Sequence, residues 1–71
     1  MYNEAKLRGK IAEARLSILE LAQRLGMNPT TLHRKIKGET EFTRSEIYAI
    51  SKELHCTEEE TKLIFFAESD A

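Results

Sequence analysis

The sequence predicts an all-α fold, a compact bundle of five short helices. Apolar residues recur at every third or fourth position along most of the chain, as they do on one face of a helix. The 71 residues, 41% of them hydrophobic, leave room for one small core. We therefore expect a single domain over residues 1–71, with an ordered core from about residue 3 to about residue 67. Three pairs of residues have the spacing of a capping box, in which each residue satisfies a free backbone N–H at a helix start: Ser17 with Glu20, Thr43 with Glu46, and Thr57 with Glu60.

The first predicted helix begins after Asn3, a good N-cap residue, and runs to about Ala14. Its apolar stripe consists of Leu7, Ile11 and Ala14, at positions i, i+4 and i+7. Gly9 lies inside this helix and costs about 0.5–1 kcal/mol relative to alanine. This glycine indicates either close packing against a neighbouring element or simply a weak point in the helix.

The second predicted helix follows the Ser17 cap and is about two turns long. Gly26 stands where it should end, because glycine adopts the left-handed conformation without steric cost. Its apolar residues fall on a single stripe: Leu21, Ala22 and Leu25. A tight turn then leads directly into the next helix.

The third predicted helix runs from Pro29 to about Lys37, with Asn28 as its N-cap and Gly38 after its end. At 100° per residue, one side is apolar and should face the core: Pro29, Leu32 and Ile36. The opposite side is polar: Thr30, Arg34 and Lys37, with His33 on the flank. Because this side carries donors and cations and no carboxylate, it suits the major groove of B-DNA.

The last two predicted helices follow a loop that Phe42 should anchor. The fourth helix runs from Arg44 to about His55, and the fifth runs from the Thr57 cap to about Phe66 or Ala67. The tail, residues 68–71, is expected to fray. The fourth helix has Tyr48 beside its apolar stripe, which consists of Ile47, Ile50 and Leu54.

The net charge of −1 conceals two halves of opposite sign. Residues 1–37 contain eight Lys or Arg and three Glu, a net charge of +5. Residues 38–71 contain three Lys or Arg and nine Asp or Glu, a net charge of −6. A basic half attracts phosphate locally even on a neutral protein, although both halves are also compatible with ordinary solvated helix faces.

Membrane, secreted and disulfide-linked classes are not expected. The longest apolar run, Leu63–Ala67, has five residues, far fewer than the roughly 20 that a membrane helix needs. Met1 is not followed by a basic start and an apolar run, so no signal peptide is expected. Cys56 is the only cysteine, which leaves no partner for an intramolecular disulfide. The simplest expectation is a cytoplasmic protein.

The inventory of reactive side chains argues against an enzyme. His33, His55 and Cys56 are the only soft metal ligands, and their spacing fits no metal site. The glutamates at 58–60 open a helix, where negative charge is stabilising. We expect no catalytic residue, no metal and no cofactor.

The second and third helices together resemble the helix-turn-helix of the phage repressor and Cro family, the XRE-like group. The similarity rests on the pattern Leu21-Ala22, Leu25-Gly26, Asn28, Thr31-Leu32 and Gly38. It extends to the whole arrangement of five helices over roughly residues 5–67. The resemblance implies a DNA-binding transcriptional regulator, a small phage or prophage-type repressor or Cro-like protein.

The resemblance also implies which residues contact DNA. Base contacts are expected from the start of the third helix and one turn further on: Pro29, Thr30, His33 and Arg34. Arg34 is the best candidate for a bidentate contact to guanine. Phosphate contacts are expected from Ser17, Asn28, Thr31, Lys35, Lys37, Thr40 and Arg44.

Two departures from the family pattern predict modest affinity for each subunit. Ile18 replaces a glutamine that commonly grips phosphate, and Glu39 and Glu41 make the usually basic loop acidic. A homodimer on palindromic half-sites, roughly 34 Å apart, would compensate.

The apolar run of the fifth helix is the expected dimer contact. Its four large residues point to every side of the helix, so we expect Phe65 or Phe66 to be exposed in the monomer and to form a two-fold interface. The alternative is that all four belong to the core. Another alternative concerns function: the same fold acting as a protein–protein interaction module that does not bind DNA.

Overall fold

The computed structural model describes residues 2–66, and these residues form five α-helices and no strand. The helices are α1 Glu4–Glu13, α2 Ile18–Leu25, α3 Pro29–Ile36, α4 Arg44–Glu53 and α5 Glu58–Phe65. The prediction of an all-α bundle of five helices is therefore confirmed. The tail at 68–71 and the proposed helix end at Ala67 lie outside the described residues.

Each helix begins where the sequence predicts, because a side chain satisfies the first free N–H groups. Asn3 accepts a hydrogen bond from the Lys6 N–H at 3.0 Å and caps α1. Ser17 Oγ accepts from the Glu20 N–H at 3.0 Å, while the Glu20 carboxylate accepts from the Ser17 N–H at 2.9 Å. The other two predicted capping boxes, at Thr43 and Thr57, are formed in the same reciprocal way.

Left-handed residues close four of the helices, and only two of these residues are glycines. Gly26 and Gly38 have φ values of 68° and 88°, as their positions predict. Arg15 and His55, with φ values of 61° and 55°, do the same after α1 and α4. As a result α4 ends at Glu53, two residues before the predicted boundary.

The core draws on all five helices. Ten hydrophobic residues are buried: Leu7, Ile11, Leu21, Ala22, Leu32, Ile36, Ile50, Leu54, Ile64 and Phe65. Two expectations about the stripes are wrong, since Ala14 and Pro29 are exposed. Ala14 is the C-cap of α1, and Pro29 is the first residue of α3, so both lie at helix ends that extend past the core. A Cβ added at Gly9 would meet nothing within 4 Å, which identifies that glycine as a weak point and not a packing site.

Candidate nucleic-acid interface

The start of α3 is fixed by the turn that joins it to α2. The Met27 N–H donates to the Ala22 carbonyl at 2.9 Å, closing α2 around the left-handed Gly26. Asn28 Oδ1 then accepts from the N–H groups of Thr30 at 2.8 Å and Thr31 at 3.4 Å. These short-range bonds set the direction in which α3 leaves α2.

The end of α3 is tied to the first residues of the chain by Tyr2, which the sequence analysis did not select. Its hydroxyl donates to the Ile36 carbonyl at 2.9 Å, satisfying an acceptor at the end of the helix. Its ring lies 5.6 Å from that of Phe42, which in turn lies 5.3 Å from that of Phe65. Burial, and to a smaller degree the charge of Glu4, raise the pKa of the Tyr2 hydroxyl to about 12. Phe42 thus anchors the loop after α3, as predicted.

Lys35 holds that loop against α4. Its side chain is only 12% exposed, and its ammonium lies 3.0 Å from the Glu46 carboxylate and 3.0 Å from the Glu41 carbonyl oxygen. Burial raises the pKa of Glu46, but the hydrogen bond from the Thr43 backbone and the ion pair with Lys35 outweigh it and lower the pKa overall. Lys35, a predicted phosphate contact, therefore has its ammonium engaged within the protein and supports the loop.

The outward side of α3 presents the remaining candidates together. All four predicted base contacts are exposed: Pro29, Thr30, His33 and Arg34. Lys37 is exposed at the C-cap of the same helix. The side is less purely basic than the helix alone predicts, because Glu39 folds back onto it. The Glu39 carboxylate lies 3.9 Å from Arg34 Nε and 3.6 Å from Lys37 Nζ.

The other predicted phosphate contacts are exposed at helix starts or in the loop: Ser17, Asn28, Thr31, Thr40 and Arg44. Ser17 and Asn28 also cap α2 and α3, so their oxygen atoms already accept backbone N–H groups. The Ser17 hydroxyl and the Asn28 amide keep donors that are available to a phosphate oxygen. Arg44, the first residue of α4, makes no ion pair within 4.0 Å among residues 2–66.

The apolar run of α5 divides between core and surface. Phe65 is 8% exposed and packs on Phe42, whereas Phe66 is 52% exposed. Leu63 is also exposed, so the alternative that all four large residues are core does not hold for the single chain. Of the two predicted dimer residues, Phe66 is therefore exposed and Phe65 belongs to the core.

Two further features of the described residues concern membranes and metal ions. None of the helices in the described part of the chain is long and apolar enough to cross a membrane. Residues 2–66 contain no group of three His, Cys, Asp or Glu side chains placed to hold a metal ion.

The five-helix fold agrees with a comparison against protein families. A family model described as a Cro/C1-type HTH DNA-binding domain matches residues 6–61, which is more than half of the 71-residue chain. No curated protein and no solved structure gives a significant match.

Proposed function

The chain belongs to the family of Cro/C1-type helix-turn-helix DNA-binding domains, and on that premise we propose that it is a sequence-specific transcriptional regulator. It is proposed to be a small repressor or Cro-like protein of the phage type that acts in the cytoplasm. Its α3 enters the major groove of double-stranded DNA, and occupancy of an operator excludes the polymerase. This activity requires no catalytic residue, metal or cofactor.

The observation that carries the proposal is the exposed side of α3. Arg34 projects from the middle of the helix and is exposed, so its guanidinium can make a bidentate contact with guanine once it moves away from the Glu39 carboxylate, 3.9 Å from its Nε. Thr30 and His33 flank it, and Pro29 adds apolar contact near the helix start. Both ends of α3 are fixed, at Asn28 and through the Tyr2 hydroxyl, so this side is presented in a defined direction.

The proposed phosphate contacts surround this side of α3. Two groups of side chains position the domain on the DNA backbone. One consists of hydrogen-bond donors at the starts of α2 and α3, and the other of cations near the end of α3 and the start of α4. They comprise Ser17, Asn28, Thr31, Lys37, Thr40 and Arg44, with Lys35 acting mainly by holding the loop. Because these contacts are few and Glu39 opposes them, the affinity of one subunit is modest.

A homodimer on DNA follows from that modest affinity. Two subunits on palindromic half-sites, roughly 34 Å apart, add their contacts. Phe66, half-exposed at the end of α5, is the proposed contact between them, with its buried neighbour in the chain, Phe65.

The first test is a fluorescence-anisotropy titration of random-sequence duplex DNA at two salt concentrations. We expect micromolar or tighter binding that weakens strongly with salt, because phosphate contacts release counterions. Arg34→Ala should bind less well. On an operator selected from random sequences it should lose roughly tenfold to a hundredfold, since a bidentate base contact is worth about 1–3 kcal/mol.

Arg8→Ala is the matched control, because Arg8 pairs with Glu4 on α1, outside the helix-turn-helix. It should bind the operator nearly as the wild type does. If no binding is seen at low salt, at concentrations high enough to dimerise the protein, the proposal of a DNA-binding regulator is wrong. That result would leave the interaction module as the function of this fold.

A further inference from the structure

An open groove of about 590 Å³ lies between α4 and α5, and this α4–α5 groove is not part of the helix-turn-helix. Half-buried Ile47 and Cys56 line it together with exposed Tyr48 and Phe66. The Tyr48 side chain is 68% exposed, although aromatic residues usually place most of their area in a core or an interface. The groove is therefore an apolar surface that no other part of residues 2–66 covers.

The charged residues around the groove are mostly basic, although the groove lies in the acidic half of the chain. Residues 38–66 contain seven glutamates and only three cations. All three cations, Arg44, Lys52 and Lys62, line the groove. Among the described residues that line it, Glu58 is the one carboxylate. Within residues 2–66 none of the three lies within 4.0 Å of a carboxylate. Among the described residues, an incoming acidic group therefore meets no ion pair that it would have to break at this rim.

The polar groups inside the groove already satisfy one another. Ser51 Oγ and Thr61 Oγ1 lie 2.8 Å apart and link the two helices, and the Thr61 hydroxyl donates to the Thr57 carbonyl at 3.0 Å. Because Thr61 has a single hydroxyl proton, Ser51 must be the donor to it. The Lys52 ammonium lies 5.8 Å from the centre of the Tyr48 ring, within the range of a cation–π interaction that holds the ring in place. The Ser51 and Thr61 hydroxyls are thus engaged, and the apolar side chains of the groove remain exposed to a partner.

We propose that the α4–α5 groove binds an amphipathic helix of a partner protein, whose apolar stripe is flanked by Asp and Glu side chains. The stripe packs on Tyr48, Phe66 and Ile47, and the acidic flanks meet Lys52 and Lys62. A helix fits because α4 is 10 residues long, which gives a groove of about 15 Å, the length of two to three turns of a docked helix. A nucleic acid fits poorly, because it would leave the apolar side chains uncovered.

This inference goes beyond DNA binding and does not depend on it. Lys52, Lys62 and Tyr48 have no proposed role at the DNA surface. Phe66 is shared with the proposed dimer contact, so the partner helix and a second subunit compete for it.

The probe is a synthetic helical peptide of about four turns, with Leu and Phe on one stripe and Glu elsewhere, labelled for anisotropy. There are two control peptides. One has the same composition in scrambled order, and the other has Lys in place of every Glu. We expect the acidic amphipathic peptide to bind at least roughly fivefold more tightly than either control. Its affinity should fall with salt, because the rim charges are exposed.

Three variants locate the binding. Tyr48→Ser should weaken peptide binding at least roughly fivefold, and the double variant Lys52→Gln/Lys62→Gln should weaken it roughly threefold and remove most of the salt dependence. Leu19→Ser is the control, because Leu19 is an exposed apolar residue on α2, away from the groove. Thermal melting should be unchanged in all of them, and DNA affinity should be unchanged in the Tyr48 and lysine variants, since these side chains lie on the surface outside the proposed DNA contacts.

Other outcomes overturn the proposal. Equal binding of the acidic, scrambled and basic peptides would do so, as would no peptide binding at all. Sedimentation of the free wild type as a dimer that Tyr48→Ser converts to a monomer would show that a second copy fills the groove. Chemical-shift changes confined to residues outside α4 and α5 would place the peptide elsewhere.

Discussion

Two consecutive helix pairs in this chain, α2–α3 and α4–α5, share one construction and present opposite surfaces. In each pair the first helix begins with a capping box, a left-handed residue ends it, and a capped helix follows within four residues. The α2–α3 pair turns donors and cations outward on α3. The α4–α5 pair leaves exposed aromatic rings at a groove. The two pairs thus have a similar backbone plan and different outward side chains, and it is these side chains that lead us to propose different ligands for them.

The largest expected effect is on the free energy of unfolding, and it distinguishes the buried side of α3 from the exposed side of α4. Leu32 is fully buried, so Leu32→Ala should lower the free energy of unfolding by about 2–5 kcal/mol, a large part of the stability of a domain of this size. Tyr48→Ala should change it by less than about 0.5 kcal/mol, because Tyr48 lies mostly in solvent. Urea denaturation measures both. A loss above about 1 kcal/mol in Tyr48→Ala would mean that the groove contributes to the core.

The turns of the two pairs differ in a way that substitutions should expose. Gly26 and His55 occupy equivalent left-handed positions, so Gly26→Ala should cost about 1 kcal/mol and His55→Gly should gain up to about 1 kcal/mol. A Cβ at Gly26 meets nothing within 4 Å, which leaves the backbone conformation as the cause. Gly9→Ala is the control at ordinary helical φ, and it should stabilise by about 0.5–1 kcal/mol. This account would be contradicted if thermal or urea melts showed that Gly26→Ala and Gly9→Ala change the free energy of unfolding in the same direction.

Tyr2 ties the end of α3 to the bundle through its side chain, whereas the last turn of α5 is tied to the same segment by a backbone bond, from the Asn3 N–H to the Ile64 carbonyl at 2.7 Å. Tyr2→Phe keeps the ring and removes the hydroxyl bond to the Ile36 carbonyl, so we expect a loss of about 1 kcal/mol at neutral pH. The pKa of Tyr2 is raised to about 12 in the folded protein, above the ordinary value near 10. The hydroxyl therefore stabilises fully below pH 10, and this contribution is lost as the pH rises from 10 to 12.

The measurement is the free energy of unfolding of both proteins between pH 8 and pH 12. The wild type should lose its advantage over Tyr2→Phe across the upper part of this range. A constant difference between the two proteins would show that the hydroxyl bond does not depend on the neutral phenol.

Short-range signals explain what the sequence predicted about this fold. The three capping boxes, Asn28 before Pro29, and the glycines at 26 and 38 act within a few residues, so their positions are legible in the chain. Helix ends are predicted near Arg15 and at His55, but the left-handed conformation of these two residues is not, because non-glycine residues seldom adopt it. A helical wheel also assumes that a neighbour covers the whole helix, which is why it places Pro29 in the core.

The parts of the site that were missed depend on contacts distant in sequence. Tyr2 reaches Ile36 across 34 positions, and no local pattern announces that bond. Lys35 lies on α3 among exposed cations, but its ammonium is drawn under the loop by Glu46, eleven residues later. Helical spacing and the apolar side of α3 predict that Thr30 and Arg34 are exposed, and the family resemblance implies their proposed role as base contacts.

The smallest expected effect concerns Glu39, which gives the DNA side of the molecule a carboxylate of its own. Its position beside Arg34 and Lys37 offsets their charge, so Glu39→Gln should strengthen binding to random DNA by roughly threefold at low salt and by less at high salt. Stability should change by less than about 0.5 kcal/mol, because the ion pairs are exposed. Glu41→Gln is the matched control: it makes the same charge change in the same loop, and Glu41 pairs with neither cation within 4.0 Å. Anisotropy titrations that give both variants the same gain would assign the effect to net charge, whereas a larger gain for Glu39→Gln assigns it to the position of this carboxylate between the two cations.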